Sequence, residues 1–397
     1  MRRVVITGAG VISALGPDLP SFWASLAEGR SGIGPIKAVD CTPLRFSNGA
    51  EVQDFDPFLH FDPKAAMQLD RTVQLAGVAA AEALKMSGLI LEPARTAVVT
   101  GCCVGGKTTE DETYRQLYEE KKTRFDPLTI PKVMANGAAS YISMHHGITG
   151  PAYTVSTACA SAAHAIGQAF WMVRAGMVDA ALAGGHEAPF SLGMLRGWEA
   201  MRVVAPDTCR PFTVDRKGLI LGEGAAILVL EPLESAVARG AHILAEICGF
   251  GMTSDASHIT MPSAEGAAAA MRAALADGGL APGQIGYINA HGTGTPANDA
   301  TETKAIRAVF AEPPVVSSTK SMHGHTLGAA GALEAAAAMM AFERDLLPPT
   351  VNFTQPDPAC DLDVIPNQAR AARVEAVLSN SFAFGGLNAV LAFRRAG

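Results

Sequence analysis

Val155–Phe170 reads VSTACASAAHAIGQAF, and a second stretch starting at Val316 reads VSSTKSMHGHTLGAAGALEAA. Both pass from a β-branched run through small polar residues into an Ala/Gly-rich segment, the pattern of a strand, a turn and a closely packed helix. A second pair repeats the relation. VVITGAGVIS (4–13) and AEICGFGMTS (245–254) each read as a strand, Gly-x-Gly and a polar exit, the first resembling a strand and turn. Two copies of one α/β unit would account for both echoes. The boundary then falls after ILVLE and LESAVARG, near Arg239 and Gly240, giving halves 1–240 and 241–397. With no low-complexity stretch and no long linker, the halves are expected to be fused tightly.

Short apolar runs at 3–7, 96–100, 153–157, 227–230, 285–290, 315–319 and 377–380 alternate with Ala-rich helical segments. They are apolar on nearly every position, which suits strands covered on both faces in an α/β fold. Only 6% of residues are aromatic while 40 are glycine, so the packing must rely on close approach rather than on a few large anchors. A formal net charge of -7 gives no global positive field for nucleic acid or an anionic membrane. No apolar run is long enough to span a bilayer, and the opening residues do not read as a secretory signal. The seven cysteines, at 41, 102, 103, 159, 209, 248 and 360, show neither an even count nor C-x-x-C spacing. A reducing cytoplasm is the expected setting.

Cys159 follows a strand and opens a helix, where free N–H groups and the macrodipole would favour a thiolate; a buried structural cysteine is the competing reading. In NAHGTGTPANDATE (289–302), His291 stands at a strand end and Gly292 and Gly294 allow close backbone approach to a ligand. A turn histidine that only ties the loop is the alternative. SSTKSMHGHTLGAAGALE (317–334) carries Lys320, His323 and His325. No third ligand joins the two histidines at metal spacing, so no metal is expected. His323, His145, His146 and His164 read as structural. SNSFAFGGLNAVLAF (379–393) reads as two strands around a Phe-Ala-Phe-Gly-Gly turn whose backbone N–H groups could point inward, longer than a tight hairpin needs.

Taken in order, VVITGAGVISALG, STACASAAHAIG, AGGHEA, RPFTVDRKGLILGEGAAILVLE, NAHGTGTPANDATE, STKSMHGHTLGAAGALEA and NSFAFGGLNAVL resemble, over essentially the whole chain, the β-ketoacyl-acyl carrier protein synthases, the elongating type II branch of the thiolase superfamily. The resemblance implies a thiolase-like fold of two duplicated α/β halves in five α-β-α-β-α layers. It implies an acyltransferase with Cys159 as the acyl-accepting nucleophile, His291 and His325 as catalytic histidines, and Lys320 beside them, held by Asp299, Glu302 and Glu334. Phe384 would be the gate, and the N–H groups of Cys159 and Phe384 the oxyanion hole. Thr293 and Thr295 would contact the phosphopantetheine arm, with Val104, Trp198 and Phe382 shaping the acyl site.

No cofactor is implied beyond the arm of the acyl carrier protein that delivers the substrates. That acidic partner would need a cationic dock, for which Lys64, Lys121, Lys122, Arg124 and Arg202 are candidates, the alternative being an ordinary solvated charged face. A homodimer is implied, or a heterodimer with a related chain-length-factor subunit. Three departures stand out: Ala383 where a Gly is usual before the gating Phe, Leu387 in place of a polar residue, and Asn298-Asp299 in place of Gly-Asp. They lean toward a specialised branch similar to nodulation-type and polyene-type ketosynthases. A dinucleotide oxidoreductase is disfavoured because TGAGVISALG lacks the third glycine. A degradative thiolase is disfavoured because Phe384-Gly385-Gly386 stands where a second catalytic cysteine would be expected. A non-condensing chain-length factor would lack the nucleophile.

Overall fold

Ten strands form the hydrogen-bonded framework of the computed structural model, which describes residues 1–396. They are β1 (Val4–Ser13), β2 (Thr96–Gly101), β3 (Ala152–Val155), β4 (Ala180–Glu187), β5 (Gly224–Pro232), β6 (Ala245–Ser254), β7 (Ile285–Asn289), β8 (Val315–Ser317), β9 (Ala376–Ala383) and β10 (Leu387–Arg394). The spatial order is β8-β7-β9-β10-β6-β1-β5-β4-β2-β3. Counted within each half, both sides read third, second, fourth, fifth, first. The pairings match too: second with third and second with fourth are parallel, fourth with fifth and fifth with first antiparallel. The halves meet where β1 and β6 pair antiparallel from Val4↔Ile247 to Ile6↔Ala245.

Helices α1 (Arg71–Ser87), α2 (Ser161–Arg174), α3 (Ala264–Gly278), α4 (Pro296–Val309) and α5 (Ala330–Arg344) complete the layers. α1 covers β1 and β5, and α3 covers β6 and β10, with α4 against α3. Between the half-sheets lie α2 and α5, each touching strands of both halves. α5 is buried from Ala330 to Phe342. A helix rich in Ala and apolar on nearly every face, its one buried charge being Glu334, suits a space between two sheets.

The glycines of β1 and β6 correct one expectation. Neither Gly-x-Gly is a turn, because both strands run straight through. A Cβ on Gly8 would come 2.2 Å from the Ala83 carbonyl oxygen of α1, and one on Gly10 would come 2.0 Å from that of Ala79. In the other half Gly249 and Gly251 stand in the same relation to Ala274 and Ala270 of α3, at 2.3 and 2.2 Å. These glycines exist so that a helix can lie on the strand, and no phosphate-binding loop is present there. β4 shows none of the β-branched residues that marked its neighbours. Its Gly184 is needed because a Cβ would meet the Ala226 oxygen at 2.0 Å.

Candidate active site

β3 ends at Val155, and Cys159 lies in a 3-10 turn, Ala158–Ala160, that precedes α2 rather than in the helix itself. The turn is sharp: Ala158 has φ +47°, a left-handed conformation that costs a residue with a Cβ about 1–2 kcal/mol. The Cys159 sulfur is almost fully buried, facing its own N–H and that of Phe384. Burial pushes the thiol up to about 11, against the lowering effect of the Lys320 charge and these two N–H groups. The expected resting thiolate is therefore corrected: at neutral pH the group is a thiol, because desolvation outweighs the helix end.

His291 follows β7, and His325 lies in the long segment between β8 and α5. Their rings are 5.5 Å apart, edge to face. Burial first, then the charge of Lys320, holds both well below the usual histidine range, so both are neutral. His325 Nδ1 accepts the Leu327 N–H at 3.3 Å, which leaves the proton on Nε2.

The three acids expected around Lys320 divide between two tasks. Lys320 is fully buried and pairs with Glu334 of α5. Glu302 instead accepts the N–H groups of His291 (2.9 Å) and Gly292 (2.8 Å) and the Asn380 amide (3.1 Å). Asp299 accepts from the N–H groups of Phe212 (2.8 Å) and Gly294 (3.1 Å) and from the Asn298 amide (3.2 Å). Both brace the His291 loop through its backbone. A loop dense in glycine leaves its N–H groups free, and buried carboxylates are what satisfy them.

One cavity of about 300 Å³ collects Cys159, His291, His325, Thr293, Thr295, Phe382, Phe384 and Trp198, with Arg202, Lys217 and His258 among its lining. Thr293 and Thr295 are hydrogen-bonded to each other at 2.9 Å. The Phe384 ring stacks on Trp198 with centroids 6.1 Å apart. The turn carrying Phe384 is shorter than expected. Ala383 pairs with Leu387 in the ladder, so the hairpin has three residues, with Gly385 and Gly386 at φ +83° and +71°. Ala383 therefore belongs to the strand and not to the turn.

Val104 does not line this cavity; its N–H is directed to Glu187 at 3.3 Å. Lys64, Lys121, Lys122 and Arg124 are exposed but away from the cavity, and Lys122 pairs with Glu120 at 3.0 Å. Arg202 alone of the five docking candidates reaches its mouth, where Lys217 was not foreseen. Glu187 was also missed. Fully buried at the end of β4, it accepts the N–H groups of Cys103 (2.7 Å) and Gly328 (3.0 Å), and burial pushes it up to about 7. A lone carboxylate ending the apolar run AALAGGHE was the available signal.

A thiol from one α/β half and two imidazoles from its duplicate, facing one cavity, define a condensing enzyme of thiolase-like fold. The family can then be named. Residues 1–236 match the β-ketoacyl synthase N-terminal domain and residues 244–354 the C-terminal domain, and the chain belongs to the β-ketoacyl synthase family. It is 50% identical to nodulation protein E of Rhizobium sp. (strain N33), over 99% of each chain. It is 42% identical to 3-oxoacyl-[acyl-carrier-protein] synthase 2 of Synechocystis sp. (strain ATCC 27184 / PCC 6803 / Kazusa), over 99% of this chain and 98% of that one. The solved ishigamide ketosynthase/chain length factor superposes over the whole of both chains with a TM-score of 0.95 and 40% identity. The chain is an acyltransferase of the ketosynthase class.

Proposed function

We propose that the chain extends an acyl group held on Cys159 by decarboxylative condensation with a malonyl group carried on acyl carrier protein. The observation that carries this reading is the shared cavity, which Cys159, His291 and His325 all line, with the two rings 5.5 Å apart. The division into halves 1–240 and 241–397 belongs to the same reading, one half supplying the sulfur and the other the rings.

In the first step the sulfur attacks the carrier thioester. The oxygen that becomes negative sits against the N–H groups of Cys159 and Phe384, donors of a kind each worth about 3–4 kcal/mol at the transition state. As the tetrahedral adduct collapses, the acyl–sulfur bond to the carrier breaks, and the proton lost by Cys159 ends on the departing carrier thiol. Burial raises the thiol while the charge of Lys320 lowers it, so Lys320 favours its ionisation. In the second step a malonyl thioester enters. The Nε2–H of His325 and the ring of His291 hold its carbonyl oxygen while carbon dioxide leaves and an enolate forms. The enolate carbon attacks the acyl carbon on Cys159, the carbon–sulfur bond breaks, and the sulfur regains a proton from solvent. Side chains and backbone N–H groups of the chain serve each step, and the acyl and malonyl groups arrive on the carrier's arm.

The cavity mouth, with Arg202 and Lys217 in its lining, supports docking of an acidic carrier. A partner subunit, identical or related, is supported by β3, which ends the sheet with one side unpaired, and by Tyr114 and Tyr118, exposed on the helix Lys107–Tyr118. The likeness to a ketosynthase/chain-length-factor structure favours the related-subunit form, with this chain the condensing member because Cys159 is present. Among the described residues no helix is long and apolar enough to cross a membrane. A graded panel of acyl-carrier thioesters, incubated with malonyl-carrier protein and scored for 3-oxoacyl products, tests the reading. Product from at least one chain length supports it, and carrier hydrolysis without carbon–carbon bond formation overturns it.

A further inference from the structure

The turn that presents Cys159 is held by two side chains that never touch the cavity. Ser161 Oγ accepts the Thr157 N–H at 2.9 Å and donates to the Ala158 carbonyl at 2.6 Å. It thereby ties together the peptides on both sides of the left-handed residue. His164, one helical turn further on, places Nδ1 3.0 Å from the Ala160 carbonyl and 3.0 Å from Thr157 Oγ1. A carbonyl can only accept, so Nδ1 bears the proton and is shared between the two oxygens. Both side chains are buried, and the His164 ring stands edge-on to Phe250 of β6 at 5.9 Å.

The molecule contains its own control. In the second half Leu327 also has φ +47°, opens a 3-10 turn, Leu327–Ala329, and leads into α5. The residues three and six places after it are Ala330 and Leu333, which can make no such bonds. That turn is held from outside, by His325 Nδ1 on the Leu327 N–H and by Glu187 on the Gly328 N–H. The same backbone can thus be formed without the Ser-His pair, whose presence coincides with the turn that carries the sulfur.

We propose that Ser161 and His164 are positioning residues for the nucleophile, fixing the strained turn so that the Cys159 sulfur stays against the N–H groups of Cys159 and Phe384. This rests on Cys159 being the acyl acceptor. Without the clamp the turn can relax about Ala158, and a displacement of even ~1 Å at a reacting atom can cost up to about a hundredfold in rate.

The test compares Ser161→Ala, Ser161→Thr and His164→Leu with the unaltered chain. Two quantities are read on protein of matched melting temperature: acylation of Cys159 by an acyl-carrier thioester, and alkylation of Cys159 by iodoacetamide from about pH 8 to about pH 12. Ser161→Ala should slow acylation at least about tenfold through kcat with little change in KM, and shift the alkylation profile to higher pH. Ser161→Thr, which keeps the hydroxyl, should recover most of the rate. His164→Leu places the counterpart's Leu333 in the clamp and reads the same quantities if Ser161→Ala fails to fold. Folded variants with unaltered acylation rates and an unshifted profile would overturn the clamp. If the unaltered chain takes up no acyl group at Cys159, the reading beneath the clamp fails instead.

Discussion

Both halves bend the chain between their third strand and the following helix, through left-handed Ala158 in one and Leu327 in the other, yet only one bend can hold a reactive side chain. The residue after Ala158 is Cys159, with room for its sulfur beside the cavity. The residue after Leu327 is Gly328, where a Cβ would lie 2.5 Å from the Cys103 N and 2.6 Å from Glu187 Oε2. The second bend is packed shut against the first half. Its half contributes chemistry from outside that turn: Lys320 and His325 lie upstream of it in the same connection between β8 and α5, and His291 lies in the connection after β7. Duplication supplied one scaffold twice, and side-chain space decided that a thiol would face a pair of imidazoles rather than another thiol.

The asymmetry can be broken at several points. Replacing Lys320 with Met strands the fully buried Glu334 without its partner, a loss of about 3–5 kcal/mol by analogy with broken buried pairs. The sign with pH follows from Glu334, which burial already pushes up to about 7. A raised carboxyl contributes fully below its unfolded value and loses that contribution as pH rises through the folded one. Without Lys320 the carboxyl rises further, so the Lys320→Met defect in denaturant melts should deepen as pH rises through about 7 and above, where Glu334 ionises in the unaltered fold and stays protonated in the variant.

His325→Ala should slow condensation by about 10²–10³ while leaving acyl uptake on Cys159 within a few-fold, as stopped-flow and quench kinetics can separate. Gly328→Ala should cost about 1–3 kcal/mol in a thermal or denaturant melt, since the new methyl has nowhere to go. The smallest effect belongs to the mouth. Arg202→Glu should raise KM for the carrier-bound substrate by about three- to tenfold, less at high salt, and leave a small-molecule thioester unaffected.

Much of this asymmetry could be read before any coordinates. The echo between residues 155–170 and 316–336 disclosed the duplication, and the halves do share one strand order. Cys159, His291 and His325 stand together in the cavity because each follows a strand of its half-sheet, a placement that apolar runs and their polar exits reveal. What was illegible depended on contact across the chain. Gly8 and Gly10 looked like a turn because a glycine beneath a helix and a glycine in a loop are the same letter. β4 was passed over because Ala and Gly mark close packing and not strand preference. Asp299 and Glu302 were assigned to Lys320, whereas the unsatisfied N–H groups of the glycine-rich His291 loop claimed them. The thiol's resting state was misjudged because the helix end is a local feature, while the desolvation that overrides it comes from the whole fold.

The central claim is that acyl uptake on Cys159 and decarboxylation at His291 and His325 are separable steps in one cavity, and intact-protein mass spectrometry combined with carbon dioxide release measures it most directly. His325→Ala should gain the mass of the acyl group on the peptide bearing Cys159 and release little carbon dioxide from malonyl-carrier protein. Cys159→Ala should gain no acyl mass and still release carbon dioxide. An acyl adduct on another residue, or loss of both signals in both variants with the fold intact, would contradict the account.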